Sequence, residues 1–339
     1  MSAGPPAEVT PERRGALGPA VTGRPGAGFG DLLAARVAGR GSQLVLGLDP
    51  DPAHLWPRAL QRAGPIGESS GSDPPRSVGA RAAHAVIAQC ELAMDAVGEH
   101  CVAVKPQLAC FERLGPAGWA ALFEVVALAH ERGLLVIADA KRGDVDVSAA
   151  AYAQAFLAET PTPFGRVPGM GADALTVNPL LGRDALAPLV EVARERARGL
   201  FVLVRTSNPG AADIQELRTA DGLSVSERLA NIVAELGAGG VGTAGLGDVG
   251  AVVGATAPSR LESLRQRMPH AVFLIPGVGA QGGRVEDLAP AFAPGPAAAL
   301  IAVSRGIVGA HERTGGDPAP AARDEAARLR ELAWKLACD

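Results

Sequence analysis

Lysine is scarce in this sequence. The 339 residues include 32 basic ones, yet only Lys105, Lys141 and Lys335 are lysines, so arginine supplies nearly all of the positive charge. Aromatic residues make up only 4% of the chain, the net charge is −4 and there is no basic run, which argues against a nucleic-acid-binding protein. No apolar stretch is long enough to cross a bilayer, so we expect no membrane segment.

Cysteine is nearly as rare, and its spacing matches no metal or disulfide pattern. Cys90, Cys101, Cys110 and Cys338 form no C-x-x-C pair, and the six histidines are scattered. We therefore expect cytosolic thiols, a cytoplasmic protein and no zinc site. The first residues lack the apolar core of a secretory signal and are rich in Pro, Gly and Ala, so residues 1–28 are predicted to form a disordered tail.

The sequence is rich in short apolar runs that alternate with helical patterns. With 47% hydrophobic residues, the chain can bury one large core. The alternation predicts a single α/β domain, a (β/α)8 TIM barrel over residues 29–339, with a flexible insertion near residues 61–79 that is rich in Gly, Ser and Pro. A second glycine-rich loop is predicted at residues 237–247. The strands are predicted at residues 43–48, 101–104, 134–138, 172–177, 200–204, 250–253, 271–275 and 298–303.

Polar residues follow each predicted strand, at the end where the active sites of such barrels form. Any one of them is explained equally well by a solvated loop, but a full set indicates a polar pocket at one rim of the barrel. The strand ends carry Asp49, Lys105, Asp139 with Lys141, Asn178, Ser207, Thr256, Gln281 and Arg305.

The run ADAKRGD places a lysine between two acids, directly after the third strand. Asp139, Lys141 and Asp144 lie within six residues, and Lys105 ends the preceding strand. Lysine can be tuned to release a proton near neutral pH, whereas arginine cannot, so Lys141 is a candidate proton donor. Taken alone, this spacing is better explained as a solvated ion pair, and the other strand ends favour the charged pocket. Two carboxylates could also hold Mg²⁺, which leaves a metal-dependent reaction open.

The last two strands are followed by residues suited to binding an anion. Strand seven runs into PGVGAQGG, whose glycines let a ligand approach the backbone closely. Strand eight runs into Ser304-Arg305, and a guanidinium can grip a phosphate with two hydrogen bonds. Barrels often bind phosphate at these two loops. A plain glycine turn is the alternative, and its pairing with Arg305 favours phosphate binding.

Together these motifs resemble the orotidine 5′-phosphate decarboxylase family, specifically its longer bacterial (type 2) subfamily. The resemblance extends from about residue 43 to 310. It implies decarboxylation of orotidine 5′-phosphate to UMP in pyrimidine biosynthesis, a carboxy-lyase reaction that needs no cofactor or metal. The matching runs, one per strand, are LGLDPDP, VKPQLACFE, ADAKRGD, TVNPLLGRD, VLVRTSNPGAAD, VVGAT, IPGVGAQGG and VSRGI.

The resemblance also implies a role for each matching residue. Lys105, Asp139, Lys141 and Asp144 would form an alternating charged network, in which Lys141 protonates C6 of the pyrimidine. Asp144 and Ser148 would reach into the site of a partner subunit, so that a homodimer shares its two active sites. Substrate binding is assigned to Asp49 for the ribose hydroxyls, Ser207 for the base, Gln281 and Arg305 for the 5′-phosphate, and also to Ser148 and Ser304.

The chain departs from the family pattern in three loops, and two rival functions stay open. After Asp144 the expected Gly-Ser-Thr run is Asp146-Val147-Ser148, and Leu180 and Ala257 stand where an aromatic residue is expected. One rival is a Mg²⁺-dependent lyase of sugar phosphates with the same D-x-K-x-x-D pattern, against which the TSNPGA run argues. The other is a non-catalytic sensor of phosphate ligands. The intact charged set argues against it, because buried charges are costly to maintain.

Overall fold

Eight parallel strands close into a barrel with helices in the connections. The computed structural model describes residues 27–64 and 77–338. The strands are β1 (Leu44–Leu48), β2 (Ala103–Pro106), β3 (Leu135–Arg142), β4 (Ala174–Val177), β5 (Gly199–Arg205), β6 (Val249–Val253), β7 (Phe273–Pro276) and β8 (Ala299–Val303). Their order around the ring is β1-β8-β7-β6-β5-β4-β3-β2, so β7 lies opposite β3. The predicted (β/α)8 barrel is confirmed.

Helices cover the outside of the ring. None of those in the described ranges is long and apolar enough to cross a membrane. Short 3-10 turns occupy Gly98–His100, Ala238–Gly240, Val285–Phe292 and Pro296–Ala298. The α-helices are α1 (Phe29–Arg40), α2 (Pro57–Ala63), α3 (Val78–Val97), α4 (Leu108–Glu112), α5 (Pro116–Glu131), α6 (Asp146–Leu157), α7 (Arg183–Glu195), α8 (Ala211–Gln215), α9 (Val225–Gly237), α10 (Pro258–Arg267), α11 (Arg305–Val308), α12 (His311–Thr314) and α13 (Pro318–Cys338).

Strands β1 and β8 are apolar throughout because both of their faces are buried. All five residues of β1 and of β8 are buried, and the two strands close the ring in register, with Leu44 opposite Ile301. Alternate residues of β1 belong to two different hydrophobic clusters. Leu44 and Leu46 pack with the surrounding helices, whereas Val45 packs in a cluster that includes residues of α1. This alternation follows from the two-residue period of a strand.

Helix α1 closes the amino-terminal end of the barrel. Phe29 packs edge-on against Phe201 of β5, with ring centroids 6.2 Å apart. A Cβ atom on Gly199 would overlap the Phe29 ring, and one on Gly30 would overlap the backbone of Leu246. The two glycines therefore let the helix lie directly on the strand ends.

A buried arginine joins the sixth and seventh βα units. Arg265 is 5% exposed and donates hydrogen bonds of 2.7 to 2.9 Å to the carbonyl oxygens of Met268, Ala271, Ala291 and Ala298. Burial lowers the pKa of its guanidinium to about 9, so the group stays charged at neutral pH. Four carbonyl oxygens thus surround this buried cation in place of a carboxylate, although its Nε has no hydrogen-bond partner within the described ranges.

Three predictions about loops and strand ends need correction or lie outside the description. β3 does not end at Asp139 but continues to Arg142, through an irregularity described below. Residues 61–63 of the predicted insertion near 61–79 belong to α2 and residues 78–79 belong to α3; residues 65–76 and 1–26 lie outside the described ranges, so the insertion and the tail stay predictions. The sequence also did not predict an antiparallel hairpin of Glu159–Thr162 with Gly165–Pro168.

Candidate active site

A cavity of about 420 Å³ opens at the carboxyl ends of the barrel strands. The structure brings eight of the ten predicted site residues to its wall, and apolar side chains such as Leu203 and Val252 line it as well. The cavity therefore combines a charged rim with an apolar lining, as small-molecule sites usually do. The eight residues are Asp49, Lys105, Asp139, Lys141, Ser207, Gln281, Ser304 and Arg305.

Asp139 is the centre of the charged wall. Lys105 reaches across from β2 and donates from Nζ to Oδ2 of Asp139, while Lys141 Nζ donates to Oδ1 at 2.5 Å. Thr176 Oγ1 donates to the same Oδ1 at 3.0 Å, and Gln107 Nε2 lies 3.4 Å from Oδ2. Both carboxylate oxygens are thus occupied by donors, two of which are cationic.

The charges of this group reinforce one another. Burial raises the pKa of Asp139, but the positive charges of Lys105 and Lys141 outweigh it and hold the pKa at about 2. Burial likewise lowers the pKa of Lys105, and the negative charges of Asp139 and Asp49 more than reverse this, so the pKa lies above its usual value. The carboxylate and the buried ammonium are therefore both ionised at neutral pH, as a buried pair requires.

Lys141 lies in a bulge of β3. Pairing with β4 passes from Ala138 opposite Leu175 to Arg142 opposite Val177, so three residues of β3 face Thr176 alone. Lys141 has a φ of 50°, in the left-handed region that lysine seldom adopts. Its amide donates to Thr176 Oγ1 at 2.9 Å. Thr176 and Gln107 were not among the predicted site residues.

Two glycines, Gly254 and Gly277, pack closely against Ser207. A Cβ atom on Gly277 would lie 2.9 Å from Ser207 Cβ, and one on Gly254 would lie 2.7 Å from Ser207 Cα. Gly277 also has a φ of 99°, which favours glycine. Thr256 Oγ1 donates to the Ser207 carbonyl at 3.0 Å, so Thr256 supports the wall of the cavity from the neighbouring loop.

The loops after β7 and β8 form the opposite wall. Gly279 and Gly282, with φ of 77° and 89°, shape the turn that carries Gln281. Arg305 is exposed, and within the described ranges its guanidinium has no hydrogen-bond or ion-pair partner. A free guanidinium beside a glycine-rich turn is suited to an anionic ligand.

Asp144 and Ser148 do not line this cavity. Asp144 Oδ1 accepts a hydrogen bond from the amide of Val145 at 2.8 Å, and Ser148 is exposed on the first turn of α6. Among the described residues no lysine forms an ion pair with Asp144, so the predicted four-member network reaches only from Lys105 through Asp139 to Lys141 within one chain. Between Lys141 and Asp144 the chain passes close to β4: a Cβ atom on Gly143 would lie 2.7 Å from the carbonyl oxygen of Asn178.

The structure also locates two other residues that the sequence marked. Asp146 is exposed and has a φ of 42°, a conformation that aspartate tolerates better than most residues. Asn178 accepts a hydrogen bond from the amide of Leu180 at 3.0 Å, which gives it a local role in the turn after β4. Within the described ranges, no three His, Cys, Asp or Glu side chains gather as a metal-binding group.

Sequence comparison identifies the family. The orotidine 5′-phosphate decarboxylase / HUMPS family profile matches residues 42–319. The chain belongs to this family. An orotidine 5′-phosphate decarboxylase of Rhodopirellula baltica is 44% identical over 285 residues, which are 84% of this chain and 89% of that protein. One of Haloarcula marismortui is 42% identical, with 84% and 88% covered. The predicted family and its carboxy-lyase class are confirmed.

Solved structures agree with this family. The orotidine 5′-phosphate decarboxylase of Leishmania donovani superposes with a TM-score of 0.64 at 31% identity, over 90% of this chain and 98% of that one. A Streptomyces avermitilis crystal structure, provisionally named as the same enzyme, has a TM-score of 0.71 at 34% identity, over 92% and 97%. The family therefore shares the barrel described above across nearly the whole chain.

Proposed function

We propose that this chain decarboxylates orotidine 5′-phosphate to UMP without a cofactor or metal ion, as a step of pyrimidine biosynthesis in the cytoplasm. The observation that carries the proposal is the buried Asp139 carboxylate held between Lys105 and Lys141. The relatives named as orotidine 5′-phosphate decarboxylases support the choice of substrate. The four free cysteines agree with a cytoplasmic location.

The charged wall suits a reaction that develops negative charge on carbon. Loss of CO₂ leaves an electron pair at C6 that lies in the plane of the pyrimidine ring, where the π-system cannot delocalise it. The Lys141 ammonium, held by Asp139, stabilises this charge and then delivers its proton to C6. Asp139 is fixed as an anion, and beside the departing carboxylate it raises the energy of the ground state.

The two walls suit the two ends of a nucleotide. β7 lies opposite β3 in the ring, so a ligand whose base lies near Lys141 directs its phosphate towards Gln281 and Arg305. Asp49 binds the ribose hydroxyls between these ends, Ser207 contacts the base, and Ser304 adds a hydroxyl beside Arg305. Phosphate binding, remote from C6, orients the base against the charged wall.

The proposal includes a homodimer with shared active sites. Asp144 and Ser148 lie outside the cavity of their own chain, although they follow its central lysine by only a few residues. The loops after β3 and β4 touch at Gly143, and both carry exposed apolar side chains: Val147 is 84% exposed and Leu180 is 80% exposed. Large exposed apolar side chains on two neighbouring loops support burial of this surface against a partner. Such a partner would receive Asp144 and Ser148 in its own site.

The decisive test is the absorbance of orotidine 5′-phosphate after addition of the purified protein, with and without EDTA. We expect rapid loss of substrate that EDTA does not change. Turnover that EDTA abolishes would favour the Mg²⁺-dependent lyase, and binding without turnover would favour the sensor.

A matched pair of lysine variants tests the proton donor. Lys141→Ala should leave the protein folded and abolish turnover, whereas Lys335→Ala, on the exposed face of α13, should behave as wild type. Substantial decarboxylation by a folded Lys141→Ala protein would contradict the assigned role.

A further inference from the structure

The bulge in β3 creates a bonding problem that a side chain of β4 solves. Between the last paired position before the bulge and the first one after it, β3 has three residues and β4 has one. The ladder of backbone hydrogen bonds between the strands is therefore interrupted at Asp139, Ala140 and Lys141. A buried amide left without a partner is destabilising. The Lys141 amide finds its acceptor in the Thr176 hydroxyl at 2.9 Å instead of in a strand carbonyl.

The same hydroxyl also acts as a donor. Thr176 is 1% exposed and points to the inside of the barrel, where its Oγ1 lies 3.0 Å from Oδ1 of Asp139. Oδ1 is the oxygen that receives Lys141 Nζ. One hydroxyl therefore connects the backbone of Lys141 with the carboxylate that holds the side chain of Lys141, and a closed set of three hydrogen bonds results.

We propose that Thr176 is a positioning residue, whose hydroxyl fixes the Lys141 ammonium against Asp139 by bonding to both. This inference deepens the proposed decarboxylase function and rests on it for its kinetic consequence. Thr176 does not itself deliver a proton. It acts through Lys141 and Asp139, because a left-handed lysine in a bulge has few other constraints on its direction.

Two substitutions separate the hydroxyl from the shape of the side chain. Thr176→Val keeps the branched shape and loses the hydroxyl, whereas Thr176→Ser keeps the hydroxyl and loses the methyl group. We expect Thr176→Val to lower kcat about 10- to 100-fold with KM changed less than about threefold, because losing a hydrogen bond to a charged group has an effect of this size. Thr176→Ser should stay within about threefold of wild type. An active Val variant, or a Ser variant as impaired as Val, would overturn the proposal.

A second measurement decides the inference without relying on turnover. The charged groups that face Asp139 are Lys105 from β2 and Lys141 from its own strand, with Asp49 acting on Lys105 from β1. All three are unchanged in the variants. The Thr176 hydroxyl bonds to the ionised carboxylate, so its removal raises the pKa of Asp139 towards the unfolded value. A carboxyl group whose pKa is lower in the folded than in the unfolded state stabilises the protein at pH values above its unfolded pKa. This stabilisation is lost as the pH falls through the folded pKa.

The stability deficit of Thr176→Val relative to wild type should therefore be larger at pH 7 than at about pH 2, measured by urea unfolding at both pH values, because the contribution of Asp139 is lost only as the pH falls through its folded pKa of about 2. Thr176→Ser should show a much smaller pH-dependent deficit. A deficit of Val that is equal at both pH values would indicate a packing role alone and refute the inference. If wild type fails to consume orotidine 5′-phosphate, the proposed function fails, and this comparison still decides the role of Thr176.

Discussion

Replacing Asp139 by asparagine tests the physical basis of the charged wall. The change keeps the shape of the side chain but leaves Lys105, which is 8% exposed, without the carboxylate beside it. Breaking a buried ion pair in this way lowers the free energy of unfolding by about 3 to 5 kcal/mol. The unfolding entropy of roughly 300 residues is roughly 0.6 kcal/mol/K, so Tm should fall by about 5 to 8 °C.

The paired variant Lys105→Met/Asp139→Asn gives the reasoning its control. Removing both buried charges should restore most of the stability lost in Asp139→Asn, because the cost comes from an unpaired buried ammonium. Urea unfolding at pH 7, followed by the fluorescence of Trp56 and the other tryptophans, measures the stability of the wild type, of Lys105→Met, of Asp139→Asn and of the double variant. A single-variant loss below about 1 kcal/mol, or a double variant as unstable as the sum of the singles, would refute the electrostatic account.

Three further predictions concern the phosphate wall, the shared site and the buried arginine. Arg305→Ala should lower kcat/KM for orotidine 5′-phosphate about 10- to 150-fold, the range for a lost charged hydrogen bond, and leave turnover of the phosphate-free nucleoside unchanged; an equal loss for both substrates would contradict phosphate binding. Mixed Asp144→Ala and Lys141→Ala subunits should regain activity, since one hybrid site is intact, and no recovery after proven subunit exchange would count against the shared site. Arg265→Met should lower the free energy of unfolding by more than about 3 kcal/mol, because four carbonyl oxygens lose their donor; a Tm within about 1 °C of wild type would disprove this.

The barrel and most of its rim could be predicted from the sequence because their signals are local. Strands buried on both faces are continuous apolar runs, and β1 and β8 have that pattern without interruption. The polar residue after each run marks the carboxyl end. Eight predicted site residues accordingly meet in one cavity, although their individual roles stay predictions.

What the sequence did not predict depends on contacts between distant residues. β3 continues past Asp139 because β4 accommodates its bulge, and four polar or small residues in a row have the composition of a loop. The hairpin at Glu159–Pro168 contains three prolines and a glycine, which are typical strand breakers, and its two strands pair only with each other. Thr176 lies within the run ALTV, where threonine is an ordinary strand residue, so nothing in the sequence marks its hydroxyl.

The pairing of β1 with β8 has a consequence for how the protein is made. Leu44 meets Ile301, so the ring cannot close until almost the whole chain has left the ribosome. The two walls of the cavity lie on either side of that seam: Lys105 and Lys141 lie near the carboxyl ends of β2 and β3, and Gln281 and Arg305 follow β7 and β8. A nucleotide bound to both walls would therefore contact strands from the first and from the last part of the chain. Ligand binding would stabilise the closed ring in the same step that forms the site.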